Sequence, residues 1–176
     1  MILRMLLLGL IICCSYSCSD SRSSRDKWSD KILVAFAKNM KGKGLSAAGI
    51  GGGCTLQNKI NLMSVTFDYE KVMTLEEARE LIVECSNELL RMVNSDPEAA
   101  QYFENFPIEV DILGVGIIGK TSESENDNIK FVFTKNDRIV FIIDDGKKGG
   151  TKPNDYEESF AEAQEIIALQ KSSIES

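Results

Sequence analysis

The sequence predicts an α+β fold: an antiparallel sheet of about five strands with three helices packed mainly on one face, in the order α-β-β-α-β-β-β-α. Three observations predict it. A long, well-capped amphipathic helix stands mid-chain from Thr74 to Asn94, hairpin patterns lie on either side of it, and an amphipathic segment precedes the first and follows the second. Both hairpins favour antiparallel pairing.

Taken in order, Trp28, Ile32, Ala35, Phe36 and Met40 recur at helical steps, with Leu33 beside them and Lys27, Lys31 and Lys38 outside. Residues 26–41 should therefore form an amphipathic helix, ended by Gly42 and Gly44. Its apolar face has ordinary core width, which favours packing on the domain over lying on a membrane. Leu45 to Leu56, LSAAGIGGGCTL, is rich in small residues. After Gln57-Asn58-Lys59, the residues Met63, Val65, Phe67 and Tyr69 alternate, so the two stretches read as a hairpin. The run Gly51-Gly52-Gly53 points to a bulge or to close approach of another backbone.

Thr74 and Glu77 have the spacing of a capping box. Leu75, Ala78, Ile82, Cys85, Leu89 and Met92, widened by Leu81 and Val93, give the following helix one face to bury, and Pro97 closes it. A short extra turn is expected over 96–104. A strand should run from Ile108 to about Ile118, with a change of alternation near Leu113 that implies a bulge or burial on both faces. Residues 121–128 read as a solvated turn. Ile129 to Thr134 and Ile139 to Asp144 form the second hairpin about Lys135-Asn136-Asp137-Arg138. A mobile basic loop covers 145–154. Asp155 should then cap a last helix with Tyr156, Phe160, Ala163 and Ile167 on its buried face.

With 176 residues and 43% hydrophobic content, the chain can bury one core and is short for two. The expected division is a leader over 1–18, a flexible spacer over 19–27, a single domain over 28–171 and a disordered tail over 172–176. A net charge of −7 argues against nucleic acid as a partner. The chain has no histidine, so the commonest general base and zinc ligand are lacking, and neither a metal nor a cofactor is implied.

Met1 to Cys18, MILRMLLLGLIICCSYSC, joins a positive Arg4 to a short apolar run and small residues, as a secretory signal does. The run is well short of the roughly 20 residues that span a bilayer. The leader resembles those of bacterial lipoproteins, with Ser15-Tyr16-Ser17-Cys18 matching at the acylated cysteine and departing from the usual pattern at Ser15 and Tyr16. That resemblance makes Cys18 the lipid-attachment residue, and the membrane, through an acyl anchor, the first partner; the plainer alternative is an ordinary signal peptide cut near Ser17. Ser19 lacks the acidic character that retains some lipoproteins at the inner membrane, so the outer membrane or periplasmic face of the envelope is favoured.

The phrases GIGGGCT, VTFDY, MTLEEARELIVECSNELL, NFPIEVDI and YEESFAEAQEII, together with that leader, resemble an uncharacterised lipoprotein family of chlamydia-like bacteria. The similarity covers about Lys31 to Leu169, and departs after Ile112, where aromatic residues are usual and this chain has LGVGIIG. It implies an envelope location and no catalytic residues.

Few residues carry chemistry. Cys54 and Cys85 are the only thiols beyond the leader, and in an oxidising compartment they are the candidate disulfide, against the plainer reading of two small core thiols. A hydrolase using Cys54 would lack a histidine base. Gly51, Gly52 and Gly53 leave room for a ligand cleft beside the first strand. Glu76, Glu80, Glu84 and Glu88 form a row that drifts around the helix and reads as a solvated face, helped by Arg79 and Arg91. Gly149-Gly150-Thr151 lacks a P-loop context, and Lys147, Lys148 and Lys152 read as a soluble loop. Glu123, Glu125 and Asp127 lack the glycine and terminal glutamate of a calcium loop. The expectation is an exported, lipid-anchored, non-enzymatic binding or structural module that meets an envelope protein or a small ligand.

Overall fold

The computed structural model describes residues 22–120, 128–143 and 155–174. The expected lipid-attachment residue Cys18, the carboxylates at 123, 125 and 127, and the lysines at 147, 148 and 152 lie outside them. The elements are α1 (Ser24–Met40), β1 (Leu45–Cys54), β2 (Ile60–Tyr69), α2 (Leu75–Ser95), β3 (Leu113–Gly119), β4 (Ile129–Lys135), β5 (Arg138–Ile143), β6 (Tyr156–Ser159) and α3 (Phe160–Ile174). The fold is α+β, with six strands among the described residues in the spatial order β1 to β6.

Alternation along β2 buries Met63, Val65, Phe67 and Tyr69, as the sequence predicts. With Leu113, Val115 and Ile117 of β3, and Val132, Ile139 and Phe141 beyond, they form the sheet side of the core. Phe36 of α1 meets Phe67 edge-on at 5.6 Å. Ile82, Cys85 and Leu89 of α2 are fully buried in the same core. The capping box is formed: Thr74 Oγ1 accepts from the Glu77 amide at 3.2 Å, and Glu77 accepts from the Thr74 amide at 3.1 Å. Such a cap satisfies two of the helix's orphan donors.

Four expectations are corrected. First, the sheet is mixed, because β3 runs parallel to β2 over Met63–Tyr69 and Leu113–Gly119. The chain from β2 crosses over through α2, and a crossover of that length permits parallel pairing where a tight turn does not. Second, the strand expected from Ile108 starts only at Leu113, since Val110–Ile112 is a 3-10 turn. The change of alternation read near Leu113 marks that boundary. Asn94 holds the Ile108 backbone there, donating to its carbonyl at 3.0 Å and accepting from its amide at 2.8 Å.

Third, Tyr156 to Ser159 pairs with β5 as a sixth strand, instead of opening the last helix. Ser159 and Glu162 form their own capping box, so the helix starts after them. Fourth, helical structure reaches further at both ends: Ser23 caps α1 through the Asp26 amide, shortening the expected spacer, and α3 continues to Ile174. Within α1, Ala37 is buried and Ala35 exposed.

Candidate functional site

The run of glycines in β1 does border a depression. A cavity of about 260 Å³ is lined by Gly51, Gly52, Gly53 and Cys54 on the strand, and by Arg22, Arg25, Asp26 and Asp30 at the start of α1. Close approach of the partner strand is tightest at Gly52, where the nearby atom is backbone, and can be relieved at Gly53 by a side-chain shift. A Cβ on Gly52 would stand 2.7 Å from the Leu62 carbonyl oxygen, and one on Gly53 2.8 Å from Asn61 Oδ1. The ladder shifts register between Gly53 and Cys54, with Asn61 of β2 as the extra residue, so the bulge lies in the partner strand at the end of the glycine run.

The charges in this depression are paired with one another. Arg25 donates to Asp26 Oδ1 at 2.9 and 2.5 Å and also to Asn58, while Arg22 pairs with Asp30. The Asp26 hydrogen bond holds the Arg25 pKa above its ordinary value, with Cys54 adding to it, and the same bond, helped by Ser23, holds the Asp26 carboxyl below its own. Chemically, the site offers a guanidinium beside an exposed thiol.

Cys54 and Cys85 do not form the candidate disulfide; both are free, as the plainer reading has it, although Cys54 is exposed and not in the core. Cys54 ends the edge strand β1 and is exposed, whereas Cys85 lies inside the core, its thiol 3.6 Å from Met40 Sδ. Burial pushes the Cys85 pKa up to about 12. A thiol so held is a small core residue and a poor nucleophile.

The other face of the sheet is a second surface, one that sequence reasoning missed. Residues paired across strands share a face, so Leu62, Ser64, Thr66, Gly114, Gly116, Ile118, Phe131 and Phe133 point away from the helices. Phe131 and Phe133 stack at 5.0 Å and 23°. Phe131 covers Gly116, where a Cβ would approach its ring to 3.0 Å, and Leu62 covers Gly114. Leu62 and Ile118 remain 40% and 39% exposed, a level at which burial by a partner would remove substantial apolar area. The signal was the LGVGIIG stretch, whose glycines make room for side chains of neighbouring strands.

A third surface is a groove of about 970 Å³ between α1, α2 and α3. Glu80, Glu84 and Glu88 all line it, so three of the four carboxylates in the row meet one groove instead of diverging. Lys43 pairs with Glu84 at 2.5 Å and Arg91 with Glu88 at 2.7 Å, which makes the groove a neutralised, solvated one. Arg79, expected on that solvated face, is buried on another side of α2. Among the described residues no cluster of acidic, cysteine and histidine side chains has the arrangement of a metal site, and no helix is long and apolar enough to cross a membrane.

Comparison with protein families, with characterised proteins and with solved structures found no match to this chain.

Proposed function

We propose that this protein is an exported, lipid-anchored module of the cell envelope that binds another envelope protein through the open face of its sheet. The observation that carries the binding role is the apolar surface of Leu62, Ile118, Phe131 and Phe133 on a sheet whose helices lie on the opposite side. Exposed apolar side chains and stacked aromatic rings on one uncovered sheet face are the kind of surface that a partner buries. The anchor rests on the leader and on Cys18. A single acyl chain gives marginal membrane residence, so stable attachment would use more than one.

Two measurements test the reading. Metabolic labelling with a fatty-acid probe should mark the chain and spare its Cys18→Ala variant; equal labelling of both removes the proposed attachment. A photo-crosslinking residue introduced at Ile118 should capture a protein that the same residue at Glu98, on the exposed turn after α2, does not. Identical capture from both positions would discard the open face as the binding surface.

A second reading is favoured by the depression beside Gly51–Gly53: a small-molecule or peptide binder that uses Arg25 and the exposed Cys54. Thermal-shift screening against metabolites separates it from the first, since stabilisation abolished by Arg25→Ala supports a ligand there. Its hydrolytic variant requires activity that disappears with Cys54→Ala.

A further inference from the structure

The charge of this molecule is unevenly spread. Between Arg22 and Lys43 there are seven Lys and Arg against two Asp, although the chain as a whole carries −7. Both aspartates are ion-paired, Asp26 with Arg25 and Asp30 with Arg22. Within this stretch, Lys27, Lys31, Val34, Lys38 and Lys41 follow one another at steps of four, three, four and three. α1 bears the first four and the 3-10 turn Lys41–Lys43 that continues it bears Lys41, so the spacing keeps them on one side over about 21 Å.

All five are exposed, and Val34 is 57% so. The side of α1 opposite them carries Trp28, Ile32, Leu33, Phe36, Ala37 and Met40 into the core. The lysine row is therefore fixed in direction by the packing of the helix that bears it. Among the described residues, Lys31, Lys38 and Lys41 make no ion pair.

We infer that the lysine row of α1 is a docking face for an anionic lipid surface, setting the orientation in which the tethered domain rests on its membrane. Charge complementarity selects the occupant: four lysines around an exposed valine, on a molecule otherwise acidic, attract an anionic sheet on one side and repel it on the others. The position supports it, resting on the lipid-anchor reading above. Five residues lie between Cys18 and Ser24, and the six steps from one to the other reach at most about 20 Å when extended, so an anchor at Cys18 keeps α1 near the bilayer. The apolar face of the helix stays in the protein core, and contact is made by the lysines and Val34.

The test uses the full chain, recovered from an exporting host, and vesicles of phosphatidylcholine with or without phosphatidylglycerol. The protein should partition more strongly onto the vesicles containing phosphatidylglycerol, a preference that declines with rising salt. Replacing Lys27, Lys31, Lys38 and Lys41 together by Gln should reduce that preference about tenfold or more, because each cation near such a surface contributes roughly fivefold. The fourfold Arg variant should keep it. Partition onto pure phosphatidylcholine reads the acyl anchor separately: it should be equal in the Gln variant and the parent, and lower in acyl-free protein.

A preference that survives the Gln substitutions, or its absence from the parent, overturns the inference whether or not Cys18 is acylated. Binding of the row to polyglutamate without any preference for phosphatidylglycerol overturns it too, in favour of an acidic polypeptide. If the parent proves unacylated yet keeps the lysine-dependent preference, the anchor fails and the docking face stands.

Discussion

Arg79 of α2 and Glu158 of β6 form a two-pronged ion pair inside the protein, with Nε to Oε1 at 2.7 Å and Nη2 to Oε2 at 3.1 Å. Both side chains are nearly fully buried, and the guanidinium also lies 5.9 Å from the centre of the Phe141 ring. The Glu158 hydrogen bond holds the Arg79 pKa above its ordinary value. The pair joins the outermost strand of the sheet to the central helix, which explains how four residues of β6 stay in register.

Removing one partner leaves the other charge desolvated and alone. Glu158→Gln should destabilise the fold by about 3–5 kcal/mol, whereas replacing both residues by apolar ones of similar volume, Arg79→Met with Glu158→Leu, should recover most of it. Urea unfolding of the single and double variants measures the difference. A loss below about 1 kcal/mol in the single variant would mean that the pair behaves as an exposed one.

The thiols should react at very different rates. In a chain whose leader cysteines are removed or blocked, maleimide should label Cys54 in the native protein at once, and Cys85 only when the protein unfolds. Cys54→Ala should abolish fast labelling, and oxidants should produce no bond between the two. Rapid native labelling of Cys85 would place it outside the core described above.

The same buried thiol makes stability depend on pH in the alkaline range. Burial raises the folded-state pKa of Cys85 from the ordinary 9.0 to about 12, so above pH 9 the unfolded chain releases this proton while the folded one keeps it. The unfolded state then binds fewer protons, and stability falls as pH rises from about 9 toward 12. The contribution is intact below pH 9. Replacing Cys85 by Ala lowers stability everywhere through the cavity it leaves, and should also flatten the decline between pH 9 and 11 relative to the parent. Parallel declines in the two proteins would show that other groups govern this range.

The parts of the fold that the sequence revealed are those where a local rule has a local cause. Thr74 and Glu77 cap their own helix, and Asn136, with φ of 56°, sits in the two-residue turn its hairpin needs. The parts that stayed hidden depend on residues far apart. Arg79 reads as a surface residue until Glu158 arrives to pair with it. Tyr156–Ser159 has too few residues to show alternation, and becomes a strand because β5 offers it an edge. The parallel pairing of β2 with β3 carries no mark in either strand. At the candidate site, the glycines announced the room beside β1, but the partners that fill its rim, Arg22 and Arg25, precede the helix pattern that was read. The open face was illegible because Leu62, Ile118 and Phe131 come from three separate strands.

The glycines of β1 can be told apart by substitution, because they serve different purposes. Gly49 has no heavy atom within 4 Å of where a Cβ would stand, so Gly49→Ala should be neutral or slightly stabilising through loss of backbone freedom in the unfolded chain. At Gly52 the added carbon would lie 2.7 Å from the backbone oxygen of Leu62, in the partner strand, and relief requires the two strands to separate locally. Gly52→Ala should therefore cost about 1–3 kcal/mol, the range typical of overpacking. Because the strain falls where β1 meets β2 beside the depression, hydrogen exchange of the paired amides from Leu62 to Ser64 should accelerate in Gly52→Ala and stay unchanged in Gly49→Ala. Equal melting temperatures and equal exchange in the two variants would show that close strand approach is not what keeps glycine at 52.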